Sequence, residues 1–415
     1  MPEARKVVCA TYNGKLARGR TAALARGEPT DDLTAWLTLD DGGRKGGEGD
    51  TPPDFVAVGF QEMIPLHLAL AGFTKTALDL HDDELRTAID TRYASSEKAG
   101  EGYRLVARNA IGGIVLLVYA RAPSVSQRVV SVQSATIGCG VLGVMGNKGA
   151  VGIRVVLAED EGESVWTFIS AHLAAHQNQV EARNSNWKEI VSRLVFAGAD
   201  GRESQMFETG HLFFFGDLNY RISLTSPKKL APHLLAHSIS SLVPSDPSSY
   251  TSLLAQDQLQ QEQSAGRTLH HLREGPITFQ PTYKFLPGSR DKYKDFRKRP
   301  PGWCDRVLFA SSAGDKAEVL DYHSVMDFTR SDHKPVAATI SIPSSSLTRP
   351  LPHPAPFPLD RSYRLKHTVG RALDRLVGVV WCLVMLAGFN RDARIGIANL
   401  AIAAATAYYR RVLFG

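Results

Sequence analysis

The chain has 415 residues, too long for one small domain at the usual ~150 residues per domain. Apolar residues make up 43% and charged residues 22%, which excludes a disordered, collagen-like or disulfide-scaffold chain. The net charge of +6 is uneven: residues 361–415 hold nine Lys/Arg against two Asp, so residues 1–360 carry about −1. A basic tail beside apolar runs points to an anionic membrane surface rather than to nucleic acid. Cys9, Cys139, Cys304 and Cys382 lie far apart with no CxxC pair. That spacing suits a reduced compartment and argues against a cysteine zinc site. Lys6–Ala10 is already strand-like, with no charged-then-apolar leader, so no secretory signal is expected.

In chain order, residues 5–342 show short apolar runs separated by turn signals. They include Phe55–Phe60, Gly113–Tyr119, Val151–Leu157, Val165–Ser170, Leu212–Phe215, Arg306–Ala310 and Val336–Ile342. Their length and Val, Ile and Phe content predict buried strands. Gln179–Phe196 predicts a helix, with Val180, Trp187, Ile190, Val191 and Leu194 mostly on one face. Many strands with few helices between them predict packed sheets flanked by helices. Leu39–Pro53 and Ser223–Tyr250 read as loops, and polar Gln256–Gln263 as either helix or loop.

Six prolines between Pro343 and Pro358 mark a boundary. Three segments are expected: a catalytic domain over 1–342, a Pro/Ser-rich linker over 343–360, and a basic, hydrophobic, membrane-associating tail over 361–415. The tail holds two uncharged runs, Leu376–Phe389 and Ile395–Tyr409. As helices they would reach roughly 21 and 22 Å, short of the ~30 Å hydrocarbon core. The preferred reading is a membrane-embedded hairpin or a pair of interfacial helices. The alternatives are a helical hairpin packed on the main domain and a single tilted anchor. Basic residues at both outer ends favour the cytosolic face of an intracellular or plasma membrane.

Several polar clusters follow apolar runs, where α/β sheets present their loops. Glu62, in Phe60-Gln-Glu62, is either a surface charge or a ligand for a hard cation. His172, in Ser170-Ala-His172, is either structural or reactive. Asp217 and Asn219, two apart on an extended chain, point the same way and suit joint handling of a water or a phosphate oxygen; the bland reading is a turn. Ser331-Asp-His333 offers an acid–base pair. Gly146-Asn-Lys-Gly149 lets backbone N–H groups approach an anion beside Lys148. A basic run extends from Lys284 to Arg299. No Walker A loop, GxSxG elbow or HExxH is present. The set suits attack by water on a phosphoester with a Mg²⁺-type ion neutralising charge.

Seven motifs stand in order: Phe60-Gln-Glu62, Gly146-Asn-Lys-Gly149, Ser170-Ala-His-Leu173, Gly216-Asp-Leu-Asn-Tyr-Arg221, Pro281-Thr-Tyr-Lys-Phe285, Pro301-Gly-Trp-Cys-Asp-Arg306 and Ser331-Asp-His-Lys-Pro335. Over roughly residues 5–342 the sequence resembles the inositol polyphosphate 5-phosphatase family. The resemblance implies a four-layer α/β sandwich, two mixed β-sheets face to face with helices outside, and Mg²⁺-dependent removal of a 5-phosphate from an inositol ring. It implies Glu62 as the main Mg²⁺ ligand, with Asn13 beside it and Asp332 near a metal position. The family usually has Trp where this chain has Tyr12.

The same resemblance implies that Asp217 orients and deprotonates the attacking water, with Asn219 holding the water or a phosphate oxygen. His333 would contact the scissile phosphate, Asp305 would fix its tautomer, and His172 would donate to a phosphate oxygen. The ring 4-phosphate would be gripped by Tyr283, Lys284, Arg297 and Arg299, the third of these more often Lys in the family. Asn147 and Lys148 would approach the 1-phosphate side. The expected substrate is phosphatidylinositol 4,5-bisphosphate, with the 3,4,5-trisphosphate and soluble inositol polyphosphates as further candidates. A nuclease or sphingomyelinase of the wider superfamily is disfavoured by the Thr-Tyr-Lys and Trp-Cys-Asp-Arg elements. The near-neutral main domain gives no sign of a nucleic-acid partner. An inert phosphoinositide-binding scaffold would need a missing catalytic residue, and none is missing.

Overall fold

Alternation along the strands builds the molecule outward from its centre. In β1 (Arg5–Asn13), Val7 and Cys9 face one core, while Val8, Ala10 and Tyr12 face another. The computed structural model describes residues 4–14, 33–37, 52–93, 102–223, 250–294, 300–388 and 393–414.

The strands after β1 are β2 (Phe55–Gln61), β3 (Gly102–Ile111), β4 (Ile114–Ala122), β5 (Val129–Gly138), β6 (Gly149–Glu159), β7 (Gly162–His172), β8 (Val195–Ala197) and β9 (Glu203–Gln205). Then come β10 (His211–Asp217), β11 (Arg273–Glu274), β12 (Asp305–Ser311), β13 (Glu318–Ser324) and β14 (Val336–Ile342). One six-stranded sheet has the order β13-β14-β1-β2-β4-β3, and the other β11-β12-β10-β7-β6-β5. Parallel pairs β1·β2 and β7·β10 sit among antiparallel neighbours, so both sheets are mixed.

Cys9, Phe55, Phe168, Phe213, Phe215 and Val307 fill the core between the sheets. Helix α1 (Leu66–Leu70) follows β2, and α2 (Lys75–Tyr93) covers the outer face of the first sheet through Leu85 and Ile89. Helix α3 (Val180–Arg193) covers the second through Trp187, Ile190 and Val191. The result is the expected four-layer sandwich. The seven expected strands are present, and the expected helix forms over Val180–Arg193, ending before Val195 and Phe196, which belong to β8. Strand β5 was not legible: its polar Ser131, Gln133 and Ser134 interrupt the apolar signal on a sheet edge.

Segment 343–360 lies along the domain. Leu351 N donates to Thr209 O at 2.8 Å, Gln205 Nε2 donates to Phe357 O at 3.2 Å, and Phe357 rests on the outer core of the second sheet. The tail forms α5 (Tyr363–Leu386) and α6 (Ala393–Phe414). Both are longer than their apolar runs because the charged flanks are helical too. Helix α5 docks on α1, whereas α6 exposes Ile397, Ile402 and Val412 at 61–64%. Among the described residues no helix is long and apolar enough to cross a membrane.

Candidate active site

Strand register assembles the site. β1 runs parallel to β2, placing Asn13 beside Gln61, and Glu62 follows at once. β7 runs parallel to β10, placing His172 beside Asp217; β10 runs antiparallel to β12, placing Asp217 beside Asp305. His172, Asp217 and Asp305 thus form a row across the second sheet. β14 is antiparallel to β1, so the residues entering β14, Ser331–His333, reach the same edge. Gly216 permits this junction: its φ is +147°, and a Cβ there would lie 1.9 Å from Ala171 O. Glu62 and Asn219 have positive φ, at 52° and 57°. Non-glycine residues held there concentrate at functional positions.

The two sheets meet at one carboxylate. Asn13 Nδ2 donates to Asp217 Oδ2 at 2.8 Å. His172 Nε2 lies 3.3 Å and His333 Nε2 3.9 Å from the same oxygen. Asp305 Oδ2 lies 2.9 Å from His333 Nδ1 and accepts from Thr282 Oγ1 at 2.7 Å. Lys148 Nζ lies 2.5 Å from His172 Nε2. Asn13, His172, Asp217, Asp305 and His333 are all buried.

Burial opposes ionisation of Asp217, yet His333, His172 and Lys148 hold its carboxyl well below the usual range. Burial also opposes the imidazolium of His333. Asp305 and Asp217 outweigh it and raise His333 to about 9. Burial lowers His172, and the neighbouring Lys148 charge lowers it further. Lys148 is itself lowered by burial, against the pull of Asp217 and Glu62. The site therefore sets a cationic and a neutral imidazole on either side of one ionised carboxylate.

The other expected residues are distributed around this centre. Asn219 Nδ2 donates to Leu173 O at 3.1 Å, and its N–H donates to Asp217 Oδ1 at 3.1 Å. Lys284 Nζ lies 3.6 Å from Asp332 Oδ2, and the Tyr283 ring lies 4.5 Å from that of His333. Asn147 turns its Oδ1 to Val141 N at 2.9 Å, closing its own loop. Arg297 and Arg299 lie outside the described residues.

Sequence reasoning missed several supporting side chains. Arg221 donates to both Asn219 O and Oδ1 and stacks 4.0 Å over the Tyr283 ring. Gln61 bridges the sheets, accepting from Thr11 Oγ1 and donating to Ser170 Oγ, each at 3.2 Å. Segment 256–273 holds α4 (Gln258–Ser264), capped by Asp257, so the helix reading of this stretch is the one realised. Gln258 Oε1 accepts from Arg183 Nη2 at 2.8 Å and Arg221 N at 2.9 Å. Asp257 and Glu274 clamp buried Arg306 at 2.9 and 2.6 Å. Arg221, Gln61 and Arg306 lie inside the quoted motifs, which is the signal that could have found them; Gln258 carries none.

Asp217, Asp305 and His333 bring ligand atoms within 4.8 Å of one another, a different grouping from the expected Glu62, Asn13 and Asp332. His333 already turns both ring nitrogens to carboxylates, Nδ1 to Asp305 and Nε2 to Asp217. Oxygen donors fit a hard cation better. Asp305 Oδ1 is buried without a hydrogen-bond partner, and the Glu62 carboxylate lies close enough to act on both Lys148 and His172. The residues present thus fit a hard divalent cation.

Residues 10–339 match the model of endonuclease/exonuclease/phosphatase family 2. The chain is 31% identical to type IV inositol polyphosphate 5-phosphatase 9 of Arabidopsis thaliana, over 69% of this chain and 70% of that protein. It belongs to the inositol polyphosphate 5-phosphatase family. It is 33% identical to the type II inositol 1,4,5-trisphosphate 5-phosphatase of Mus musculus, over 76% of this chain but only 28% of that longer protein. Among solved structures it resembles the inositol polyphosphate 5-phosphatase domain of a synaptojanin, determined with inositol 1,4-bisphosphate and calcium. That likeness has a TM-score of 0.63 and 25% identity, covering 90% of this chain and 91% of the other.

Proposed function

We propose that this 5-phosphatase relative is a Mg²⁺-dependent phosphomonoester hydrolase that removes the 5-phosphate from phosphoinositides. Phosphatidylinositol 4,5-bisphosphate is the first substrate, with the 3,4,5-trisphosphate and soluble inositol polyphosphates behind it. The observation that carries this reading is Asp217 at the sheet junction, with Asn13, His172 and His333 around one of its oxygens.

Phosphoryl transfer through a loose transition state needs alignment and charge neutralisation more than covalent help. A carboxylate held as low as that of Asp217 orients a water through its lone pairs and takes the proton late. Asn219 shares that water or a phosphate oxygen. Cationic His333, steadied by Asp305, faces the scissile phosphate. Lys148, expected on the 1-phosphate side, lies against His172 instead; engaging phosphate oxygens there would free His172 to donate as charge moves. Glu62, with Asn13 and Asp332, would hold Mg²⁺, whose chemistry is neutralisation of phosphoryl oxygen charge. Tyr283 and Lys284, with Arg297 and Arg299, would grip the 4-phosphate, and Asn147 would stand on the 1-phosphate side. A substrate lacking the 4-phosphate would leave those cations unpaired.

The basic, apolar tail would hold the domain on the cytosolic face of a membrane and so raise the local concentration of lipid substrate. The test is phosphate release by the full chain from phosphatidylinositol 4,5-bisphosphate vesicles, with Mg²⁺ and with a chelator. Release that stops with the chelator and in Asp217→Ala supports the reading. No release from any inositol 4,5-bisphosphate overturns it and reopens the nuclease, sphingomyelinase and scaffold alternatives.

A further inference from the structure

Helix α5 approaches the domain along one stripe. Gly370, Asp374, Gly378 and Cys382 recur every four residues, which places them on one helix face. A Cβ on Gly370 would lie 2.2 Å from Val144 O, and one on Gly378 2.2 Å from Ala71 N. Cys382 Sγ lies 3.7 Å from His67 O, and Arg375 Nη1 donates to Ala71 O. The glycines let the helix backbone touch two loops that no ordinary side chain would let it reach.

Asp374 is the one acidic member of that stripe, and it is 4% exposed. Gly146 N donates to its Oδ1 at 3.0 Å and its Oδ2 at 3.1 Å. Gly146 opens the loop that carries Lys148. That loop in turn braces the Glu62 turn: a Cβ on Gly112 would lie 2.1 Å from Gly146 O, and one on Gly113 3.3 Å from Glu62 Cα. Met63 N donates to Gly113 O at 3.3 Å. A continuous line of backbone contacts therefore runs from Asp374 through Gly146 and Gly112–Gly113 to Glu62. A buried carboxylate receiving a backbone N–H is a strong, directional tether.

We propose that Asp374 is a positioning residue for the catalytic loop, so that α5 belongs to the catalytic unit as well as to the tail. This rests on the proposed phosphatase reading, and it locates in α5 a determinant of turnover that does not depend on membrane contact. The experiment uses the full chain and a water-soluble substrate, inositol 1,4,5-trisphosphate, so that vesicle binding plays no part. Asp374→Ala is expected to lower kcat on the order of tenfold, the low end for losing a supporting contact, with KM little changed. Asp374→Asn keeps an acceptor oxygen for Gly146 N–H and is expected to retain most of the activity. A kcat for Asp374→Ala equal to that of the wild type overturns the proposal, as does equal loss in both variants at unchanged melting temperature.

Amide hydrogen exchange across residues 138–149 gives a second arm that needs neither turnover nor a stable alanine variant. The Gly146 amide is expected to be protected in the wild type, and unprotected exchange there overturns the clamp. If the wild type releases no phosphate, the functional reading fails while the exchange arm still decides the tether.

Discussion

Strand β10 buries a titratable centre at each of its ends, and the two behave oppositely. At its start, His211 lies against Trp166 with ring centroids 4.2 Å apart, and its Nδ1 is 2.9 Å from Ser311 Oγ. Burial lowers it to about 3, against a backbone hydrogen bond with Leu347, so it stays neutral. At the other end Asp217 meets His333, which Asp305 and Asp217 raise to about 9. Burial is complete at both ends; the partners differ. Nearby, at the His211 end of the sandwich, charges are also paired. Arg5 lies 3.2 Å from Asp54 and 2.9 Å from Glu159, and Arg128 lies 3.1 Å from Glu159. A cavity of about 680 Å³ opens there, lined by Arg5, Asp54, Arg121, Arg128 and Glu159. What marks the reactive end is crowding of titratable groups of both signs, residues at positive φ and an Asp305 oxygen without a hydrogen-bond partner.

The widest break in this comparison comes from removing the centre of the reactive end. Asp217→Asn is expected to cut phosphate release by at least ~10³-fold while the melting temperature moves only a few degrees. Turnover close to wild type would show that the junction of the sheets is not the reactive centre. Asp305→Asn comes next, with kcat falling about 100-fold and KM little changed, since it acts through His333.

Acid then probes the quiet end. The unfolded chain protonates His211 near its ordinary 6.5, whereas the folded chain resists until about 3. Stability contributed by neutral His211 is complete above pH 6.5 and falls by about 1.4 kcal/mol per pH unit below it. Urea titrations between pH 7 and pH 5 should show at least that slope, since buried His172 is lowered too, and His211→Phe should reduce it while keeping the stack on Trp166. Glu159→Gln should cost about 1 to 2 kcal/mol in urea and leave kcat unchanged, because Arg5 keeps Asp54 and Arg128 keeps Asp160. The smallest effect is expected at exposed Arg364, which pairs with Glu203; Arg364→Ala should leave the urea midpoint within error.

Much of the reactive end was legible because its residues sit where strands stop. Glu62, His172 and Asp217 each close an apolar run, so local pattern alone offered them as candidates, whereas Asp305 came only from the family resemblance. The supports were not legible. Gln258 lies in a polar stretch whose helix offers no apolar stripe, yet its side chain joins Arg183 to Arg221. Asp374 lies in what reads as a membrane-directed tail, yet it faces the loop of Lys148.

The apolar strands, the helix expected over Gln179–Phe196 and the order of the motifs are written locally in the chain, since they follow from short-range periodicity and turn chemistry; polar edge strand β5 is not. Which strand ends share an edge, and the return of α5 onto Gly146, are set by long-range packing. The same packing leaves one imidazole neutral and makes another cationic. Register between distant strands and the partners of a buried charge depend on contacts across more than 200 positions, as between Asn13 and Asp217. No local pattern carries that information.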